Sequence, residues 1–178
     1  SAVCVTGLIV VDTPTAFSGF GQAVVLLLIQ AGGLGYMTLS TVFTVALGRS
    51  TTLQERMTLQ EALNVQDMNG LVRFAGTVLK LTLAFELAGA IVLALHWRPS
   101  LGLMQALWLG LFHAVSAFNN AGFDLMGGFA SLTGFAEDPF VFLPIGFLIV
   151  LGGLGVAIVA DTWFGSVDDH SEAVAQTL

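Results

Sequence analysis

The chain has 178 residues, 56% of them hydrophobic and only 10% charged, with a mean hydropathy of +0.89. Soluble domains carry nearer a quarter charged residues, so soluble scaffolding is excluded and membrane composition is indicated. Five Lys plus Arg against twelve acids, net −7, leave no basic surface for nucleic acid.

One cysteine, Cys4, excludes an internal disulfide framework; a small packed residue is expected there. The opening "SAVCVTGL" has neither a basic n-region nor an initiator methionine, so the chain is expected to be a fragment. Residues 23–47, "AVVLLLIQAGGLGYMTLSTVFTVAL", carry no charge and are long enough to cross about 30 Å of hydrocarbon. The linker 48–70 holds Arg49 and Arg56, with Arg73 and Lys80 just beyond. The stretches 8–22 and 123–139 hold acids and no Lys or Arg. The positive-inside bias places the linker in the cytoplasm and the acidic turns outside, with Arg98 a lone exception.

A second span is expected over 71–97. Arg73 and Lys80 near its cytoplasmic end are expected to snorkel. Glu86 lies mid-span, where a charge costs roughly 2.5–3.5 kcal/mol on simple insertion scales. Lys80 is on a different face, so Glu86 is expected to have a buried structural partner elsewhere, a role in an ion path being the alternative.

Residues 103–118, "LMQALWLGLFHAVSAF", would rise about 24 Å as a helix, short of the bilayer core. A surface helix should show a charged face, and this one has no charge. It is therefore expected to enter the membrane part-way and turn back, with the backbone that follows lining a cavity or buried in protein. His113 within it is expected to pack or hydrogen-bond, since no His or Cys lies at metal-ligand spacing. A third span is expected over 140–160, with Pro144 in its first turns, and the acidic tail 161–178 follows. "GGLG" at 32–35 and 152–155 reads as close helix packing; no strand precedes it, so a dinucleotide loop is discarded.

An internal repeat ties these pieces together. "SAVCVTGL" (1–8) aligns with "SAFNNAGF" (116–123), and "GGLGY" (32–36) with "GGLGV" (152–156). Each unit reads as short helix, glycine turn, loop and full span. A helix C-terminus carries roughly half a negative charge, favourable to a cation just beyond it. Glycine permits the dihedrals that aim further carbonyls at the same axis, and such carbonyls can replace the hydration shell of an alkali cation. Asp12 and Asp124, beyond the glycines, would raise cation concentration at an outer mouth. The half-length helix reads as a pore helix and the glycine as part of a filter.

At "SAVCVTGL", "LLIQAGGLGYMTLS", "FELAGA", "FHAVSAFNNAGFDL" and "LGGLG", in that order, the sequence resembles the Trk/Ktr/HKT superfamily of potassium transporters. The resemblance implies an all-α membrane protein of span–pore-helix–span repeats with re-entrant pore loops. It divides the chain into the end of a first repeat (1–47, with pore loop 1–12), the linker 48–70, and a second repeat (71–160) with pore helix 103–118 and filter 119–124. The filter strands it implies are Val5, Thr6 and Gly7 and Asn120, Ala121 and Gly122, acting mainly through carbonyls, with K⁺ as transported ion and Na⁺ possible. Asn119 and Asn120 are expected to brace the filter backbone, with direct ligation the alternative; Thr6 has a hydroxyl that Ala121 lacks.

The resemblance further implies multi-pass insertion in the plasma membrane (the inner membrane in a bacterium), a homodimer of the full-length chain, a cytoplasmic nucleotide-binding regulatory subunit and no bound cofactor. Two filter strands cannot close a four-repeat pore, so a non-transporting remnant or regulatory membrane subunit is the rival reading. An intramembrane enzyme is disfavoured because the spans hold no nucleophile–base set.

Overall fold

The computed structural model describes residues 1–35 and 68–154, the side chains of 68–75 excepted. Every regular element among the described residues is helical. A single turn, α1 (Thr13–Ala16), precedes α2 (Gly19–Gly33), which starts where the Ser18 hydroxyl accepts the Gly21 N–H at 3.4 Å. The helix thus begins four residues before the expected 23–47 span; residues 36–47 and most of the linker, 48–67, lie outside the described residues.

The long helix α3 (Met68–Leu101) has 34 residues, a rise of about 51 Å. Its Gly76–Leu101 portion, with hydropathy 2.1, is the one helix among the described residues long and apolar enough to cross a membrane. A turn at Gly102 leads into α4 (Leu103–Phe118), 16 residues long. After an irregular loop and a 3-10 turn (Thr133–Phe135), α5 (Pro139–Leu154) starts at a well-formed cap. Asp138 accepts the Phe140 N–H at 3.0 Å, and Pro139 sits where no N–H is needed. Residues 155–160 and the tail lie outside the described residues.

Helix α4 is the centre of the molecule. Seven consecutive residues, Phe112 to Phe118, are buried, so its C-terminal half has protein on every side. On one side Leu93 and Trp97 of α3 and Val141 and Leu148 of α5 pack against it. On the other, Ile29 of α2 joins Phe112, Val115 and the fully buried Ala121. Small residues bring α3 and α4 close: a methyl group on Gly110 would stand 2.6 Å from the Ala90 carbonyl. The Trp108 indole N–H donates to Gln22 Oε1 at 2.9 Å, pinning α4 to α2 by a polar contact as well.

Outside this core, apolar side chains face outward: Leu87 and Leu95 on α3, and Phe140, Phe142 and Phe147 on α5, are each more than half exposed. A soluble surface rarely gathers so many.

Candidate functional site: two left-handed turns that meet at Gly7 and Gly122

The opening loop and the end of α4 share one backbone design, 115 positions apart. In the first, the Val5 N–H donates to Ala2 O at 3.2 Å and the Thr6 N–H to Ser1 O at 3.3 Å. In the second, the Asn120 N–H donates to Ala117 O at 3.0 Å and the Ala121 N–H to Ser116 O at 2.8 Å. These paired bonds form a Schellman closure, which turns the last N–H groups back onto the helix and requires a left-handed residue just past its end. Val5 and Asn120 fill that place, with φ of 51° and 56°. Two residues later Gly7 and Gly122 are left-handed as well, at 69° and 71°. Glycine and asparagine tolerate this region; valine, branched at Cβ, is strained there.

The closure leaves oxygens unclaimed. Among the described residues no N–H reaches the carbonyls of Cys4, Val5 and Thr6 or those of Asn119, Asn120 and Ala121. The α4 dipole adds negative potential at the second set. Two short runs of hard oxygen donors therefore leave the opening turn and the end of α4, chemistry that suits a hard cation. The runs are neighbours. A methyl group on Gly7 would lie 2.7 Å from Ala121 O and 3.5 Å from the Gly122 Cα, and one on Gly122 would lie 3.6 Å from the Gly7 Cα.

The GGLG motifs buttress these ends in matching fashion. A Cβ on Gly32 would collide with the Val3 carbonyl, and one on Gly152 with the Phe118 carbonyl. Val3 and Phe118 are again equivalent at the 115-residue offset. The first glycine of each motif lets its helix press against the backbone just before the left-handed turn.

Side-chain support differs between the two. Around the second strand His113 is fully used: the Leu125 N–H donates to Nε2 at 3.4 Å, so Nδ1 carries the proton given to Leu109 O at 2.8 Å. The Ser116 hydroxyl donates to Phe123 O at 2.6 Å. The Asn119 amide donates to Val115 O and Glu86 Oε1, both at 2.9 Å, and lies 3.4 Å from Gln30 Oε1. Asn120 reaches Phe118 O and Ile149 O, each at 3.4 Å. Both asparagine side chains thus contact backbone carbonyls of their surroundings. Glu86, 2% exposed, finds a hydrogen-bond partner in the half-buried Asn119, as its place in a span demands.

Around the first strand the one side-chain bond among the described residues is between the Ser1 and Thr6 hydroxyls, 3.2 Å apart and exposed. Cys4, expected to be packed, is exposed, because no described residue lies over that side of the opening loop.

Asp12 and Asp124 sit beyond the glycines with their carboxylates engaged. Asp124, buried, accepts the Met126 N–H at 2.9 Å. Asp12 accepts the Thr15 hydroxyl at 2.9 Å, and reaches across to the Gly128 N–H at 3.1 Å and the Phe129 N–H at 3.4 Å. Partial desolvation works against its ionisation, but these three donors outweigh it and hold the carboxyl below its ordinary value. A cavity of about 250 Å³, bordered by His113, Asn120, Gly122, Asp124, Ser131 and Ile145, opens beside the second strand.

Sequence reasoning paired neither Glu86 with Asn119 nor Asp12 with the 128–129 backbone. Those contacts join positions 33 and 116 residues apart, for which one sequence carries no signal. The left-handed Asn120 was legible in principle, as asparagine favours the place after a helix end; Val5 gives no such hint.

A sequence model of the TrkH family, described as "cation transport protein", matches residues 1–165. The chain is 43% identical over 161 residues to a Ktr system potassium uptake protein B of Bacillus subtilis, covering 90% of this chain and 36% of that protein. It is 35% identical over 161 residues to the potassium/sodium uptake protein NtpJ of Enterococcus hirae, covering 90% and 35%. With a Ktr system potassium uptake protein B of Vibrio alginolyticus the identity is 37% over 163 residues, covering 92% and 35%. The chain spans little more than a third of the length of these relatives. With a family match over nearly its whole length, the chain belongs to the TrkH family of membrane cation transport proteins.

Proposed function

We propose that this chain supplies two of the strands lining a backbone-carbonyl selectivity filter, through which a Ktr-type transporter takes up potassium across the plasma membrane. Each strand follows a pore helix that dips in from the outer face and turns back. Each is followed by a span bearing GGLG, in a chain that crosses the membrane several times. Potassium enters down the membrane potential, worth about 2.3 kcal/mol per charge per 100 mV. The complete transporter is a homodimer that works with a cytoplasmic nucleotide-binding subunit, as the family resemblance implies.

One observation carries this reading: the same left-handed pair and the same two closing bonds recur 115 residues apart, with Gly7 and Gly122 in contact. Chance turns do not repeat in that detail and then face each other. The names of the relatives supply the ion: potassium for the Ktr proteins, potassium and sodium for NtpJ.

The test is Gly122→Ser in a full-length protein carrying this segment. A Cβ there meets its nearest neighbour at 3.6 Å, an ordinary contact, so the change acts through the backbone angle and not through a collision. Discrimination for K⁺ over Na⁺ in uptake is expected to fall by about tenfold, equivalent to about 1.4 kcal/mol. Unchanged discrimination with normal membrane abundance would remove Gly122 from the filter.

A further inference from the structure

Glu86 lies on α3, outside both filter strands, yet it is joined to one of them by a single hydrogen bond. Asn119 is the last residue before the left-handed turn, and its side-chain amide ends 2.9 Å from Glu86 Oε1. The same amide holds Val115 O at 2.9 Å and approaches Gln30 Oε1 of α2 at 3.4 Å. Space for it exists because residue 33 has no side chain: a Cβ on Gly33 would collide with the Asn119 amide. A carboxylate from one span, an amide from another and a gap in that second span's surface thus converge on the residue where the filter backbone departs from the helix.

The first strand offers an internal control. Its residue equivalent to Asn119 is Cys4, exposed and without such an anchor among the described residues.

We propose that Glu86 is a positioning residue for the second filter strand, holding the Asn119 amide and through it the aim of the carbonyls of Asn119, Asn120 and Ala121. The proposal rests on the filter assignment above. Glu86 is 2% exposed, and leaving a buried acceptor without its donor costs more than the bond itself contributes. Asn119 cannot turn without breaking its 2.9 Å bond to Glu86 Oε1. The residue touches no ion; it fixes the geometry that the ion meets, so its loss should change which cation is preferred more than how much protein is made.

The experiment compares Glu86→Ala, Glu86→Gln, Asn119→Ala and the Glu86→Ala/Asn119→Ala double variant in the full-length transporter. Membrane abundance and competitive K⁺ against Na⁺ uptake are read for each, with Gly122→Ser run alongside. Glu86→Ala and Asn119→Ala are each expected to lower K⁺ preference by about tenfold, and the double variant no further, since both remove one interaction. Glu86→Gln keeps an acceptor oxygen in place and is expected to stay within about twofold of native.

A normal K⁺ preference in abundant Glu86→Ala or Asn119→Ala protein would overturn the proposal. So would multiplicative losses in the double variant, or a Glu86→Gln loss as large as that of Glu86→Ala, which would assign the effect to charge. Should Glu86→Ala not reach the membrane, Asn119→Ala decides alone by the same ratio. If Gly122→Ser also leaves the ratio unchanged, the filter assignment fails; if only the Glu86 and Asn119 variants do, the positioning role fails by itself.

Discussion

The opening loop and the end of α4 have the same backbone and opposite surroundings. Around the α4 end, the buried side chains of His113 and Ser116 bond the turning backbone, and buried Glu86 takes the amide of half-buried Asn119. Around the opening loop, exposed hydroxyls and a strained Val5 hold the same shape. The shape is therefore not dictated by any one set of side chains. What the two share is a Schellman closure, a left-handed glycine two residues later, and a GGLG glycine pressed against the carbonyl of Val3 or Phe118 just before the turn. Those features belong to the backbone, and small residues permit them; the polar braces tune one copy.

The strongest way to break the comparison is to attack what is shared. Gly32→Ala and Gly152→Ala both drive a methyl into a carbonyl that has nowhere to go. Each should lower thermal stability of the purified transporter in detergent by about 3 kcal/mol or more, with similar losses for the two. Gly153→Ala is the matched control, since its nearest neighbour is the Asn120 amide at 3.8 Å, and little change is expected. A stable Gly152→Ala protein would mean that the buttress is not needed.

A smaller effect should separate the two ends. His113→Leu leaves the buried Leu125 N–H without its acceptor and should cost about 1–3 kcal/mol in the same melt. Among the described residues no equivalent brace lies at the first strand. Next comes an expected gain: Val5→Gly relieves a left-handed β-branched residue and should stabilise by about 1 kcal/mol after the glycine entropy cost. Asn120→Gly should not, because it surrenders contacts to Phe118 O and Ile149 O. Equal shifts for the two glycine variants would erase the distinction between a strained and a supported turn.

The mildest effect concerns Asp12, whose carboxyl is held below its ordinary value. A depressed carboxyl stabilises the folded state above the ordinary aspartate range, and that contribution is lost as pH falls through the depressed value. Stability of the native protein should therefore decline on acidification across that interval, and Asp12→Asn should flatten the decline. An identical pH profile for the two would show that the outer clasp contributes nothing measurable.

Much of this architecture was legible in the sequence, for physical reasons. An uncharged sixteen-residue run between longer apolar stretches could be neither an ordinary span nor a surface helix, and α4 occupies Leu103–Phe118 with its second half buried all round. The repeat was visible because the left-handed glycines and the GGLG contacts tolerate few other residues. Helix starts are legible too: Ser18 before Gly19 and Asp138 before Pro139 are ordinary capping residues. The partner of Glu86 was not legible, since burial demands some partner without naming one. Nor was the exposure of Cys4, because a half-polar residue in an apolar stretch gives no sign of what will cover it.

The unclaimed oxygens of the two turns carry a cost that the fold alone does not discharge. Six carbonyls without an N–H partner among the described residues hold partial negative charge that is best answered by something positive. Under the proposed function that something is the cargo, so an ion in transit is mortar for the hairpins as well as freight. Stripping alkali metals from the buffer should then loosen the very walls through which they travel.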